Sequence, residues 1–222
     1  MRFRIMLGLA MVFPAALLAQ SRGHGSDASI GVRVGTLGIG GEIAKLVTPH
    51  IGVRASANFF SYNRNVDNND VSFDAKLKLQ AITGLIDLFP GNRGSFHLSA
   101  GIMTRPMKLT GTGVPKNGTF TFNGTEYSSA QVGTLTGTGQ WGSALPYIGI
   151  GFGTPAAKHS GIGFKFDLGA GVGKPSVTLT ASGATSGSQL QSDLNAQIAK
   201  TQKDANKVFA YPVLELGLVY KF

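Results

Sequence analysis

The chain has 222 residues, a formal charge of +9 and no cysteine. The missing thiols rule out disulfides and a cysteine-linked lipid anchor, and the length suits one domain. The charge is compatible with an anionic partner but selects none by itself. Glycine supplies 32 residues, well above the usual share of about 7%. These glycines sit inside apolar stretches and follow no collagen triplet.

The first segment is a short basic head, MRFR, followed by the apolar run IMLGLAMVFPAALL, with the small residue Ala19 at a possible cleavage site. This is the pattern of a secretory signal peptide. The run is short of the roughly 20 residues that span a bilayer, and it contains Pro14. Residues 1–19 are expected to be removed, 20–28 to form a periplasmic N-terminal segment, and 29–222 to fold. No later apolar run is long enough for a membrane helix.

From residue 29 onward the hydrophobic period is two. SIGVRV carries Ile30, Val32 and Val34 on one parity, and LGIGGEIAKLV carries Leu37, Ile39 and Ile43 on the other, so the face flips at GTLG. IGVRASANFF opposes Ile51, Val53, Ala55, Ala57 and Phe59 to Arg54, Ser56 and Asn58. VSFDAKLKLQA opposes Val71, Phe73, Ala75, Leu77 and Leu79 to Asp74, Lys76 and Lys78. FHLSAGI sets Phe96, Leu98, Ala100 and Ile102 against His97 and Ser99. PYIGIGFG, GIGFKFDLGAGVG and YPVLELGLVYKF alternate in the same way. Alternation over such lengths means strands, and several exceed the about 5 to 6 residues of an ordinary globular strand.

Short connections (VTPH, PGNRGS, TPAAKHS) alternate with longer ones near 63–70, 113–140 and 181–207. Within the second long connection, Asn123-Gly124 between alternating runs is a hairpin signal, expected to project outward. In the third, Leu190, Leu194 and Ile198 form a helical stripe, with Ser188 and Gln191 spaced as a capping box. The helix is expected to cap a barrel mouth. The fold class is all-β: an eight-stranded antiparallel transmembrane up-and-down β-barrel with short periplasmic turns, long external loops and one loop helix.

The blocks GTLGIGGE, LIDLFPGNRGSFHLSAGI, LPYIGIGFG, GKPSVTLTASG and FAYPVLELGLVYKF resemble those of a widespread family of small Gram-negative outer-membrane barrels. The resemblance implies an eight-stranded barrel in the broad class of outer membrane proteins A and X, located in the cell outer membrane, and transfers no catalytic residue. The ending also resembles the signature read by the barrel-assembly machinery, carried here by Leu214, Leu216, Leu218, Tyr220 and Phe222.

A barrel of this size is just wide enough to hold its own side chains. The expected inward charges are Arg33, Glu42, Arg54, Asp74, Lys76, Lys78, Arg105, Lys165, Asp167, Glu215 and Lys221, basic groups outnumbering acidic ones. They are expected to pair, because an isolated buried charge is costly. The adjacent His159-Ser160 suggests a lipid-modifying hydrolase, but a base must reach its nucleophile in space. His159, like His24, His50 and His97, falls on the periplasmic side of the expected topology. No catalytic residue, metal or cofactor is expected. The function read from the sequence is a non-enzymatic integral outer-membrane protein with an envelope-structural or surface-contact role. A narrow anion-preferring channel or small-solute uptake barrel is the alternative, and a lipid-A-modifying enzyme the least favoured. Partners are outer-membrane lipid, lipopolysaccharide and the assembly machinery; no nucleic acid is expected, and the chain is expected to be a monomer.

Overall fold

The computed structural model describes residues 27–67, 71–91, 95–115, 119–153, 161–185 and 187–222. Residues 1–19, expected to be a signal peptide, and His24 and His159-Ser160 lie outside them. The first strands are β1 (Ala28–Gly35), β2 (Gly38–Thr48), β3 (Ile51–Asp67), β4 (Val71–Leu88), β5 (Phe96–Thr104) and β6 (Met107–Pro115). A hairpin of β7 (Thr119–Phe122) and β8 (Thr125–Ser128) follows, then the one-turn helix α1 (Ser129–Val132). The chain continues through β9 (Leu135–Gln140), β10 (Ala144–Phe152), β11 (Gly161–Val172) and β12 (Ser176–Ala181). It ends with α2 (Gln189–Ala205) and β13 (Ala210–Lys221).

Eight strands hydrogen-bond in a closed antiparallel ring: β1, β2, β3, β4, β5, β10, β11 and β13, the last pairing back to β1. Closure leaves no free edge at this level. The flip expected at GTLG is a tight β1–β2 turn, where Gly38 takes φ +107°. Its Thr36 is tied to β13 by the bond from the Tyr211 hydroxyl to the Thr36 carbonyl (2.7 Å).

The ring is not the whole of the sheet. The longer connections near 63–70 and 113–140 hold more strand than expected, whereas 181–207 holds the expected helix. β6, β9 and β12 extend β5, β10 and β11 beyond three short breaks at Arg105-Pro106, Trp141–Ser143 and Gly173–Pro175. Proline has no N–H for the ladder, which explains why pairing lapses where Pro106 and Pro175 occur. With the far halves of β3 and β4 these segments make an open sheet in the order β12-β9-β6-β4-β3. β1, β2 and β13 do not reach it. β3 runs eight residues past Phe59, which pairs with the start of β2, so one wall continues for about 26 Å of strand beyond the opposite rim.

The ladder of β3 on β4 has no register shift from Ile51↔Leu88 to Asp67↔Ser72, so each strand keeps one parity on the inner face throughout. In the ring the outward residues are apolar and exposed: Ile51, Val53 and Phe59 on β3, Ile82, Ile86 and Leu88 on β4. Above the ring the pattern inverts. Phe60 and Tyr62, then Leu79, Leu77 and Phe73, lie on the inner face, while Asp74, Lys76, Lys78 and Gln80 point outward. Both strands change phase at one height, where Phe59 pairs with Gln80 and Phe60 with Leu79.

Candidate functional site

Two compartments follow from this inversion, one inside the ring and one above it. Inside the ring, Arg33, Glu42, Arg54, Lys165, Asp167 and Glu215 are all buried. Arg33 donates to Glu42 at 2.6 Å and to Asp167 at 3.3 Å, and also meets Glu215. Arg54 bridges Asp167 at 2.7 Å and Asp87 at 2.9 Å, and Lys165 donates to Glu42 at 2.5 Å. The layer is completed by Asn58 donating to Glu215 (2.5 Å), and by Ser99, which donates to Asp87 (2.6 Å) and accepts from Arg54 (2.9 Å). His97 Nε2 lies 3.1 Å from Asp167.

Glycine makes this density feasible on the opposite wall. A Cβ on Gly151 would stand 2.5 Å from His97 Nε2 and 2.6 Å from an Asp167 oxygen. An apolar cluster of Leu37, Leu85, Met103, Trp141, Leu145, Tyr147, Tyr211 and Val213 fills the ring above the ion pairs. Below them Phe89 is buried against His97, with ring centroids 5.3 Å apart. Charges held in such a layer have each other as solvent; removing one partner strands the rest.

Four of the expected inward charges lie elsewhere. Asp74, Lys76 and Lys78 are exposed on the outward face of β4 above the ring. There the polar side is the one turned away from the packed inner face, so reading them as lumenal reversed the geometry. Arg105 sits in the break between β5 and β6, where the ladder lapses and its side chain is exposed. Lys221 is half-buried near the closing seam. Conversely, Asp87, His97, Asn58, Ser56, Thr83 and Ser99 belong to the interior, where acids then outnumber lysine and arginine. His97 is thus an interior group rather than a rim residue. Its nitrogens face Asp167 and the Ser95 carbonyl, while His50 Nδ1 is 2.9 Å from the Phe89 carbonyl. The five alternating residues Leu214, Leu216, Leu218, Tyr220 and Phe222 are all exposed on the outward face of β13.

The upper compartment is built by the hairpin and α2. Asn123 (φ 51°) and Gly124 (φ 88°) form the β7–β8 turn, as the primed turn types require. The hairpin does not project. Phe122 and Tyr127 are buried with Leu190 and Leu194 of α2 and Ala181 of β12. The Tyr127 hydroxyl donates to Asp193 at 2.5 Å, Asn123 donates to Asp193 at 3.2 Å, and Lys200 donates to Asn123 at 3.1 Å. The bond from Tyr127, then that from Asn123, holds the Asp193 carboxyl below its ordinary value, and the same contact raises the Tyr127 phenol.

Ser128 and Gln131 make a full capping box at α1, whereas at α2 Ser188 accepts from Gln191 N and the reciprocal bond is replaced by Gln191 to Asn195. Helix α2 lies along β12, with Gln202 accepting from Val177 N at 2.8 Å and donating to the Pro175 carbonyl at 2.9 Å. It therefore roofs the upper sheet; the ring's mouth is plugged by the cluster around Trp141. Between α2, the hairpin and the sheet is a cavity of about 560 Å³.

No protein-family model matches the chain, and no curated protein matches it in sequence. Among solved structures it is similar to Acinetobacter baumannii CarO2, with a TM-score of 0.55 and 19% identity over 90% of this chain and 100% of that one. Acinetobacter baumannii CarO is similar too, with a TM-score of 0.53 and 22% identity over 89% of this chain and 98% of that one. At these identities the likeness is one of fold alone.

Proposed function

We propose that this chain is a non-enzymatic integral protein of the Gram-negative outer membrane, in which the ring is the anchor and the upper sheet with α2 is an external head. The observation that carries this reading is the simultaneous phase change in β3 and β4. A bulge-free strand has no reason to exchange its apolar face at the height where its neighbour does, unless the medium outside changes there from hydrocarbon to water. Aromatic pairs at the opposite end, Phe96 with Phe152 and Tyr220 with Phe222, suit the inner interface. The alternating end of β13 then serves the assembly machinery, and the single closed ring serves as a monomer.

The role is structural anchoring with surface contact. Lys78 stands directly opposite Lys108 on the outward face, with Lys76 two residues along β4, all exposed. Facing like charges destabilise a sheet; phosphates of lipopolysaccharide just outside the hydrocarbon would relieve them. A channel is less favoured, since ion pairs and the apolar cluster fill the ring. Protease added to intact cells is expected to cut within 113–140 or 181–207 and leave the ring strands whole; protection of both connections would overturn the orientation. Planar-bilayer recordings are expected to show no conductance steps, and reproducible steps would restore the channel.

A further inference from the structure

Resting on that membrane reading, we propose that the cavity beneath α2 takes one acyl chain of an amphiphile from the outer leaflet. At about 560 Å³ it falls in the range of pockets that enclose a small ligand. Its apolar walls are Phe73, Leu109, Leu179, Phe122 and, from α2, Ile198.

Its floor is glycine: Gly111 on β6, with Gly137 and Gly139 on β9. Glycine inside a strand weakens it and often marks a close approach by something else. Neither backbone geometry nor packing demands glycine at the last two. Both have ordinary negative or extended φ. A Cβ on Gly139 would meet nothing within 4 Å, and one on Gly137 would touch only Leu179, at 3.6 Å. Any larger side chain at either position would enter the cavity. The missing side chains keep a hollow that the sheet itself does not need.

The hollow connects to the lipid belt. Phe59 tops the outward belt; around the edge that β3 leaves unpaired above β2, the inner face carries exposed Phe60 and Tyr62, half-buried Leu79 and Leu77, and exposed Phe73 and Leu109. This track lies opposite the side where β1, β2 and β13 end, and among the described residues no strand walls it off from that rim. A chain entering over the low rim meets this apolar surface, broken at Arg64, which lies on the same face opposite Ala75, while its headgroup remains in the aqueous interface.

The test uses the full chain in neutral-detergent micelles with diazirine-bearing palmitate as probe. Saturable photolabelling is expected at 197–201 and 109–111, displaced by unlabelled palmitate. It should fall at least tenfold in Gly139→Leu and Gly137→Leu, whose folding is checked by heat-modifiable gel mobility. Ile198→Trp fills the space from the helix side and should act alike if a glycine variant fails to fold. Thr180→Leu, on the outward face, should label as the parent does. Labelling confined to belt residues such as Ile82 and Ile86, or unchanged in the filled variants, would overturn the proposal. Failure of the membrane reading would be seen earlier and separately, as a chain that stays monodisperse without detergent.

Discussion

The two halves of β4 are one unbroken strand with opposite rules. From Ala81 to Leu88 its inward residues include Thr83 and Asp87 and its outward ones Ile82 and Ile86; from Phe73 to Leu79 the inward residues are apolar and Asp74, Lys76 and Lys78 face out. The backbone does not distinguish these halves. On the proposed membrane reading, what differs is what each face meets: hydrocarbon outside and ion pairs inside below, water outside and an apolar hollow inside above. Which side of a strand is polar is therefore a statement about its surroundings before it is one about inside and outside.

The sharpest way to break this contrast is to remove a charge from each half. Asp167→Ala leaves Arg33, Arg54 and His97 without their shared anion and is expected to cost about 3–5 kcal/mol, read from urea titration of the vesicle-inserted chain by Trp141 emission. Asp74→Ala on the outward face should stay within about 0.5 kcal/mol. Equal effects would mean the buried layer is not a network.

A charge can instead be added to the outward face at each height. Ile86→Lys is expected to cost about 2–4 kcal/mol, the range for a cation at mid-hydrocarbon depth, whereas Thr180→Lys should change stability by no more than about 0.5 kcal/mol. Equal tolerance would remove the lipid belt. Leu194→Ala should cost about 2–5 kcal/mol locally. Hydrogen exchange is expected to quicken across 189–205 and stay unchanged along the β1–β13 seam; a slackened seam would show the two halves to be one cooperative unit.

The smallest effect is in pH. Asp193 is held low, so its contribution is complete above the unfolded value near 3.9 and fades as pH falls toward the folded one. Tyr127 is held high, so its contribution is complete below about 10 and fades as pH rises through its folded value. Proteolytic protection of α2 should be level between about pH 5 and 9, and a loss near pH 6 would assign its docking to other groups.

Most of the ring was legible in the sequence. Period-two stretches located its strands, and the parity of FHLSAGI already set His97 and Ser99 opposite the apolar residues. The upper sheet was harder, because the TGTG run, with alternating glycine and threonine, resembles loop composition. The misplacement of Asp74, Lys76 and Lys78 came from carrying one medium along the whole strand. Its correction was present in the residues, since apolar side chains occupy odd positions through Leu79 and even ones at Ile82, Ile86 and Leu88. The docking of the hairpin on α2 had no local signal, because Tyr127 and Asp193 are 66 residues apart.

The bonds made by Gln202 bear on how such molecules coexist on a crowded surface. β12 is the last strand of the upper sheet, and its unpaired side is a template for another chain. One primary amide there occupies a donor and an acceptor that a foreign strand would need. Gln202→Leu should leave the molecule folded yet more prone to stitch itself edge to edge to its neighbours.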